Sequence, residues 1–117
     1  MRFVIQIHTG HGPMHYDLML EDGPALATWQ LQAAPDKLDV GQSADARRLP
    51  DHRSVYLTYE GSVSKGRGSV EILDNGEYQT ISRTPAGWAF KLAGGQLAGE
   101  YRLSRTNGDY WTLTRLA

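Results

Sequence analysis

Four histidines hold most of the chemistry available to this chain: His8, His11, His15 and His52. Three lie in Gln6-Ile7-His8-Thr9-Gly10-His11-Gly12-Pro13-Met14-His15-Tyr16-Asp17, and the fourth follows an acid in Asp51-His52. Imidazole and carboxylate are donors that first-row divalent ions take. In an extended chain, residues two apart share a face, with Cα atoms about 6.5–7 Å apart. His15 and Asp17 can therefore converge on one ion. His8 closes the preceding segment, and Thr9–Pro13 between them holds two glycines and a proline. A hairpin there brings His8 and His15 together at its mouth. Two histidines and one carboxylate leave coordination positions open, as a reactive metal site requires. A polar strand face with solvated histidines is the competing reading of the same spacing.

The elements that must position these groups read as strands. Phe3, Ile5 and Ile7 alternate with Arg2, Val4, Gln6 and His8, the period of two that marks a strand. Met14 to Glu21 alternates more clearly. Tyr16, Leu18 and Leu20 share one face, expected to be core; His15, Asp17, Met19 and Glu21 share the other. Further predicted strands are Ala25–Leu31, Ser54–Glu60, Ser69–Leu73, Glu77–Ser82, Gly87–Leu92, Gly99–Leu103 and Tyr110–Arg115. Turn signals stand between them at Asp22-Gly23-Pro24, Asn75-Gly76, Gly94-Gly95 and Asn107-Gly108, because Asn and Gly tolerate positive φ. Gln32 to Pro50 is polar and alanine-rich, and is expected to be a long connection with a helical turn near Ser43–Arg48. Strands at this spacing predict an all-β fold, a compact and mostly antiparallel β-barrel with little helix.

Composition bounds the function classes. The 117 residues are expected to form one domain, 1–117, with a real core. The absence of cysteine excludes disulfides, thiolate metal sites and a cysteine nucleophile. No run is apolar enough for a signal peptide or a membrane span, so the chain is expected to be cytoplasmic, with no membrane partner. A net charge of -1 advertises no long-range attraction to nucleic acid. The middle third nevertheless holds Arg47, Arg48, Arg53 and Arg67, and arginine suits bidentate phosphate contacts. Solvated surface arginines are the plainer reading of each.

Several stretches, in order, resemble the 3'-phosphoesterase domain of bacterial DNA ligase D. They are Phe3-Val4-Ile5-Gln6-Ile7-His8, then His15-Tyr16-Asp17-Leu18-Met19-Leu20-Glu21, then Asp51-His52 with Tyr56 and Tyr59-Glu60-Gly61. Lys65-Gly66-Arg67-Gly68-Ser69-Val70, Asp74-Asn75-Gly76-Glu77-Tyr78 and Leu97–Leu103 with Arg105 extend the likeness to nearly the whole chain. The resemblance implies a manganese-type divalent metal held by His8, His15 and Asp17. It implies His52 near a scissile phosphate with Tyr56 beside it. It implies trimming of DNA or RNA 3' ends in repair, removing a terminal ribonucleoside and then a 3'-phosphate, alongside a repair ligase or polymerase.

The chain departs from the family pattern in specific places. Met19 stands where the pattern has an arginine, which removes a cation from the site. The loop between the metal-binding histidines is longer and carries His11, an alternative ligand to His8. The arginine ahead of the Asp-His pair is matched by Arg47 or Arg48, the candidate contacts to substrate phosphate. Since the chain opens on its own methionine and carries no ligase or polymerase region, it is expected to be a stand-alone relative and a monomer. Two other classes compete. His15 and Asp17 with His52 fit the facial triad of a non-haem iron oxygenase. A barrel exposing Trp29, Trp88, Tyr101 or Trp111 could bind single strands by stacking, although a core wants aromatics at those positions too. A degenerate module that binds 3' ends without cleaving them lies between enzyme and binder.

Overall fold

A computed structural model describes all residues, 1–117. Its nine strands are β1 (Arg2–Thr9), β2 (His15–Asp22), β3 (Ala25–Leu31), β4 (Ser43–Arg53), β5 (Gly61–Ser62), β6 (Ser69–Thr84), β7 (Gly87–Gly94), β8 (Ala98–Asn107) and β9 (Tyr110–Arg115). Every pairing is antiparallel, in the order β1-β2-β3-β4-β9-β8-β7-β6-β5. A further β1–β6 pairing closes eight of the strands into a ring. The predicted all-β barrel is thus the observed fold. Helix is confined to two short 3-10 turns, Pro35–Lys37 and Ser54–Leu57. No helix is long and apolar enough to cross a membrane.

The barrel interior collects the apolar phase of each strand. Phe3, Ile5, Leu18, Leu20, Trp29, Trp88, Phe90, Tyr101 and Leu103 pack there, with Tyr16 and Trp111 half-buried against them. Burial of this kind contributes about 25 cal/mol per Å² of apolar surface. The predicted inward face of β2 is therefore the one observed. The opposite face of the β1–β2 hairpin carries a smaller cluster, Val4, Met19, Leu26 and Leu57, closed by the 3-10 turn at Ser54–Leu57. Beyond that cluster the same face becomes polar, and there the histidines stand.

Three local expectations fail for physical reasons. Ser43–Arg48 is not a helical turn but the first half of β4. Buried Ala44 and Ala46 alternate there with exposed Asp45 and Arg47, a period of two whose small residues fit against Trp111 and Leu31. Pro50 is tolerated within β4 because the register against β3 shifts beside it. Ser54–Glu60 is not a strand; its backbone is held by a side chain rather than by a neighbouring strand, as described below. Asn75-Gly76 is not a hairpin turn but lies inside the 16-residue β6. Gly76 serves close approach instead, since a Cβ there would stand 2.3 Å from the Ala93 carbonyl oxygen. The chain reverses later, at Pro85-Ala86. The turns at Gly23-Pro24, Gly95-Gln96 and Gly108-Asp109 fall where the sequence signals place them.

Candidate metal centre and its cavity

The β1–β2 register sets Gln6 opposite Asp17 and His8 opposite His15. One ligand atom from each of His8, His15 and Asp17 lies within 4.8 Å of the others. Donors around one first-row ion stand about 3–4 Å apart, given bonds of about 2.0–2.2 Å, so a small contraction closes the set. Asp17 Oδ2 is 3.7 Å from His8 Nδ1, and Asp17 Oδ1 is 3.5 Å from His15 Nε2. The latter separation is too long to count as a good hydrogen bond, and buried Oδ1 has no hydrogen-bond partner.

Each histidine is oriented by its other ring nitrogen. A carbonyl can only accept, so the ring nitrogen facing it must carry the proton. His8 Nε2 donates to the Arg67 carbonyl at 2.6 Å, which leaves Nδ1 turned toward Asp17 as a lone pair. His15 Nδ1 donates to the Pro13 carbonyl at 3.1 Å, which leaves Nε2 turned the same way. Backbone acceptors behind metal-binding imidazoles fix both tautomer and ring angle. The contact to Arg67 depends on Gly68, whose φ is +77° and where a Cβ would stand 1.9 Å from the Thr9 carbonyl oxygen. Only glycine lets this loop lie so close to the end of β1.

Electrostatics fit a cation. Asp17 is 3 % exposed. Burial pushes its carboxyl above the usual range, while the positive charge available to His15, His52 and His8 pulls the other way. An ionised carboxylate with an orphan oxygen is costly in such a place unless it meets a cation. The donor chemistry, the orphan oxygen and the two preset imidazoles all suit a divalent ion.

The cluster opens into a cavity of about 450 Å³. His52 and Tyr56 line it, as do Arg53 and Arg67. His52 Nδ1 donates to the Pro50 carbonyl at 3.0 Å, which leaves Nε2 free. The His52 and Tyr56 rings meet edge to face at 5.9 Å. His11 also lines the cavity, with its ring stacked on that of His8 at 6.1 Å, but it is outside the converging set. His52 is outside that set too, so the donors brought together are not those of a His15, Asp17 and His52 triad.

The candidate phosphate contacts lie elsewhere. Arg48 donates to the carbonyls of Thr28 and Leu49 and to Asp51, and its guanidinium covers the Trp29 ring at 4.6 Å. Arg47 is exposed, paired across strands with Gln30 and Tyr110. Neither lines the cavity. The cations that do line it are Arg53 and Arg67, which the sequence offered only as two arginines among four. Met19 is 0 % exposed within the Val4, Leu26 and Leu57 cluster, so β2 supplies apolar support at that position rather than charge.

One positioning residue escaped the sequence reading. Gln6, 1 % exposed, donates from Nε2 to the Tyr56 and Tyr59 carbonyls, both at 3.0 Å. This is what holds the Ser54–Glu60 segment against β1 and sets Tyr56 beside the cavity. The only signal was a lone amide in the apolar run Phe3-Val4-Ile5-Gln6-Ile7.

Residues 6–105 match the DNA Ligase D 3'-phosphoesterase domain family. The chain is 38% identical over 122 residues to the multifunctional non-homologous end joining DNA repair protein LigD of Mycobacterium tuberculosis, covering 97% of this chain and 16% of that protein. It is 30% identical over 115 residues to the LigD of Pseudomonas aeruginosa, covering 92% of this chain and 14% of that protein. For the LigD of Mycolicibacterium smegmatis the identity is 31% over 131 residues, covering 98% of this chain and 17% of that protein. The chain therefore spans about one sixth of the length of these relatives. Since the match covers most of its length, this chain belongs to the DNA ligase D 3'-phosphoesterase domain family.

Proposed function

We propose that the protein is a metal-dependent 3'-end-processing phosphoesterase of DNA repair, with His8, His15 and Asp17 as ligands of a manganese-type ion. The observation that carries this reading is the convergence of two preset imidazoles on the buried Asp17 carboxylate, whose Oδ1 has no hydrogen-bond partner. A divalent ion held by these three residues would supply positive charge to offset that of a phosphoryl group and would help to activate a water. His52 offers a free Nε2 into the cavity for the phosphoryl group, or a proton for the leaving oxygen. Tyr56 packs on the His52 ring and lines the same cavity. Arg48 acts at one remove, holding Asp51 beside His52. The names of the relatives point to end joining as the setting. The substrates are then DNA or RNA 3' ends, with a ligase or polymerase as partner, and the protein works as a soluble monomer in the cytoplasm.

Calorimetric titration with Mn²⁺, followed by assay on oligonucleotides ending in a 3'-phosphate or a 3'-ribonucleotide, tests this reading. One ion should bind, and both ends should be trimmed only in its presence. His15→Ala should abolish both. Unchanged Mn²⁺ affinity in His15→Ala would remove the site. Tight binding of 3' ends with no turnover at saturating Mn²⁺ would identify a degenerate end-binding module instead.

A further inference from the structure

A second depression, of about 340 Å³, adjoins the catalytic cavity and shares Arg53 and Tyr56 with it. Val55, Tyr59, Ser62 and Ser64 complete its lining. None of these six residues is acidic, so Arg53 is the one charged side chain of the groove. The arginines that ion-pair in this molecule are Arg48, with Asp51, and Arg83, with Asp22. The Arg53 guanidinium joins neither pair. It stands at the end of β4, one residue beyond His52. Beside it Val55 is 55 % exposed. The groove is also built rather than loose. Gln6 fixes the Tyr56 and Tyr59 carbonyls from below, and the Tyr59 hydroxyl donates to the Ser62 carbonyl. A fixed groove with one free guanidinium, one exposed aliphatic side chain, two tyrosine rings and two serine hydroxyls matches a nucleotide: phosphate on the cation, sugar and base on the rings and Val55.

We propose that this groove is a subsite for the second nucleotide of the substrate strand, with Arg53 gripping the internucleotide phosphate while the terminal phosphate lies at the metal cluster. The proposal rests on the phosphoesterase reading for the position of the terminal phosphate. Arg53 then selects a strand over a small phosphate ester. It is a binding and specificity residue, and its contribution grows only when a second phosphate is present.

The test compares a nucleoside 3'-phosphate with the corresponding dinucleotide and tetranucleotide 3'-phosphates. Dissociation constants are measured by calorimetry or anisotropy in Mn²⁺, in a His52→Asn background that stalls turnover, for wild-type Arg53 and for Arg53→Gln and Arg53→Lys. One charge-assisted contact of about 1.5 kcal/mol corresponds to about a tenfold change. The wild type should gain about tenfold in affinity from the mononucleotide to the dinucleotide and little thereafter. Arg53→Gln should lose that gain, and its salt dependence for the dinucleotide should flatten by about one phosphate contact. Arg53→Lys should recover part of it. Mn²⁺ affinity should match the wild type in both variants, which also reports an intact fold. The same gain in Arg53→Gln as in the wild type, or no gain in the wild type, would overturn the subsite. Parallel measurements with 3'-hydroxyl strands separate the two readings. If a length gain that needs Arg53 persists while the 3'-phosphate adds nothing, the subsite stands and the phosphoesterase reading falls.

Discussion

Two aspartates are almost equally buried in this barrel and do opposite things. Asp17 is 3 % exposed and Asp74 is 7 % exposed. Asp74 Oδ1 accepts from the Gly95 amide at 2.9 Å, and Oδ2 accepts from the amides of Gln96 and Leu97 at 3.0 and 2.7 Å. Those three N–H groups belong to the β7–β8 turn, and the carboxylate ties that turn to β6. Asp17 accepts no such bonds: its Oδ1 is orphaned, and imidazoles rather than amides face it. Burial is therefore uninformative by itself. A buried charge matched by local donors is architecture, while one left unmatched among metal-type donors is held for something the chain does not contain.

The sharpest way to break this comparison is to neutralise each carboxylate. Asp17→Asn removes the one anion of the proposed ligand set. Altering a group behind a ligand costs about 10–100-fold in metal affinity, so losing the ligand itself should cost about 10³-fold, read by Mn²⁺ calorimetry. The metal-free variant should be as stable as the wild type or more so at neutral pH, because burying the ionised carboxylate disfavours folding. The sign follows from the raised pKa of Asp17: the folded state holds the proton more tightly, so this group's contribution falls as pH rises above the ordinary carboxylate range. A metal-free Asp17→Asn protein destabilised by more than about 1 kcal/mol would make Asp17 a structural residue like Asp74.

Asp74→Asn should give the reverse pattern. Three charge-assisted bonds are weakened, and the new amide nitrogen faces N–H groups that it cannot satisfy. Such bonds are worth about 1.5–3 kcal/mol each and do not add fully, so a loss of about 3 kcal/mol in urea unfolding is expected, with Mn²⁺ affinity unchanged. Weaker metal binding in Asp74→Asn would show that the β7–β8 turn and the metal cluster are coupled.

The sequence told these aspartates apart only in part. His15-x-Asp17 carries its chemistry in its spacing, because a strand puts residues two apart on one face. His8 joined it because two glycines and a proline announced the hairpin. Asp74 stands beside the turn signal Asn75-Gly76, whereas its partners lie more than 20 residues away. Strand alternation was legible in β1, β2 and β3, and with it the barrel. It misled in Ser54–Glu60, where Leu57 faces the Met19 cluster but the backbone hangs from Gln6. In β4 alanines mark the buried phase, and alanine suits a helix equally well. Arg48 and Arg53 flank Asp51-His52 in sequence, yet only Arg53 reaches the cavity. Strand phase and the bulge beside Pro50 decide that, and neither is visible in composition.

A third aspartate sets the lower end of the scale. Asp22 is the last residue of β2, and its side chain is 40 % exposed. Arg83 donates to both of its oxygens, at 3.1 and 2.9 Å, while the same guanidinium stacks on the Trp88 ring at 3.7 Å. The hydrogen bonds from Arg83 hold the Asp22 carboxyl below its usual range. A depressed carboxylate stabilises the fold above the ordinary range and loses that contribution as pH falls through the lowered value. Solvent screens so exposed a pair, and such pairs are worth about 0.2–1 kcal/mol. Asp22→Asn should therefore cost less than about 1 kcal/mol at pH 7, since the stacking of Arg83 on Trp88 persists without the carboxylate. The gap from the wild type should narrow as pH falls below the ordinary carboxylate value of about 4, and in about 1 M salt, where the Debye length is about 3 Å. The Asp74→Asn loss should persist in that salt, because its three bonds are out of reach of bulk ions. An Asp22→Asn cost above about 2 kcal/mol that ignored salt would mean that Arg83 and Asp22 act as a buried clamp on the barrel end, and exposure would then be as poor a guide to the role of an aspartate as burial is.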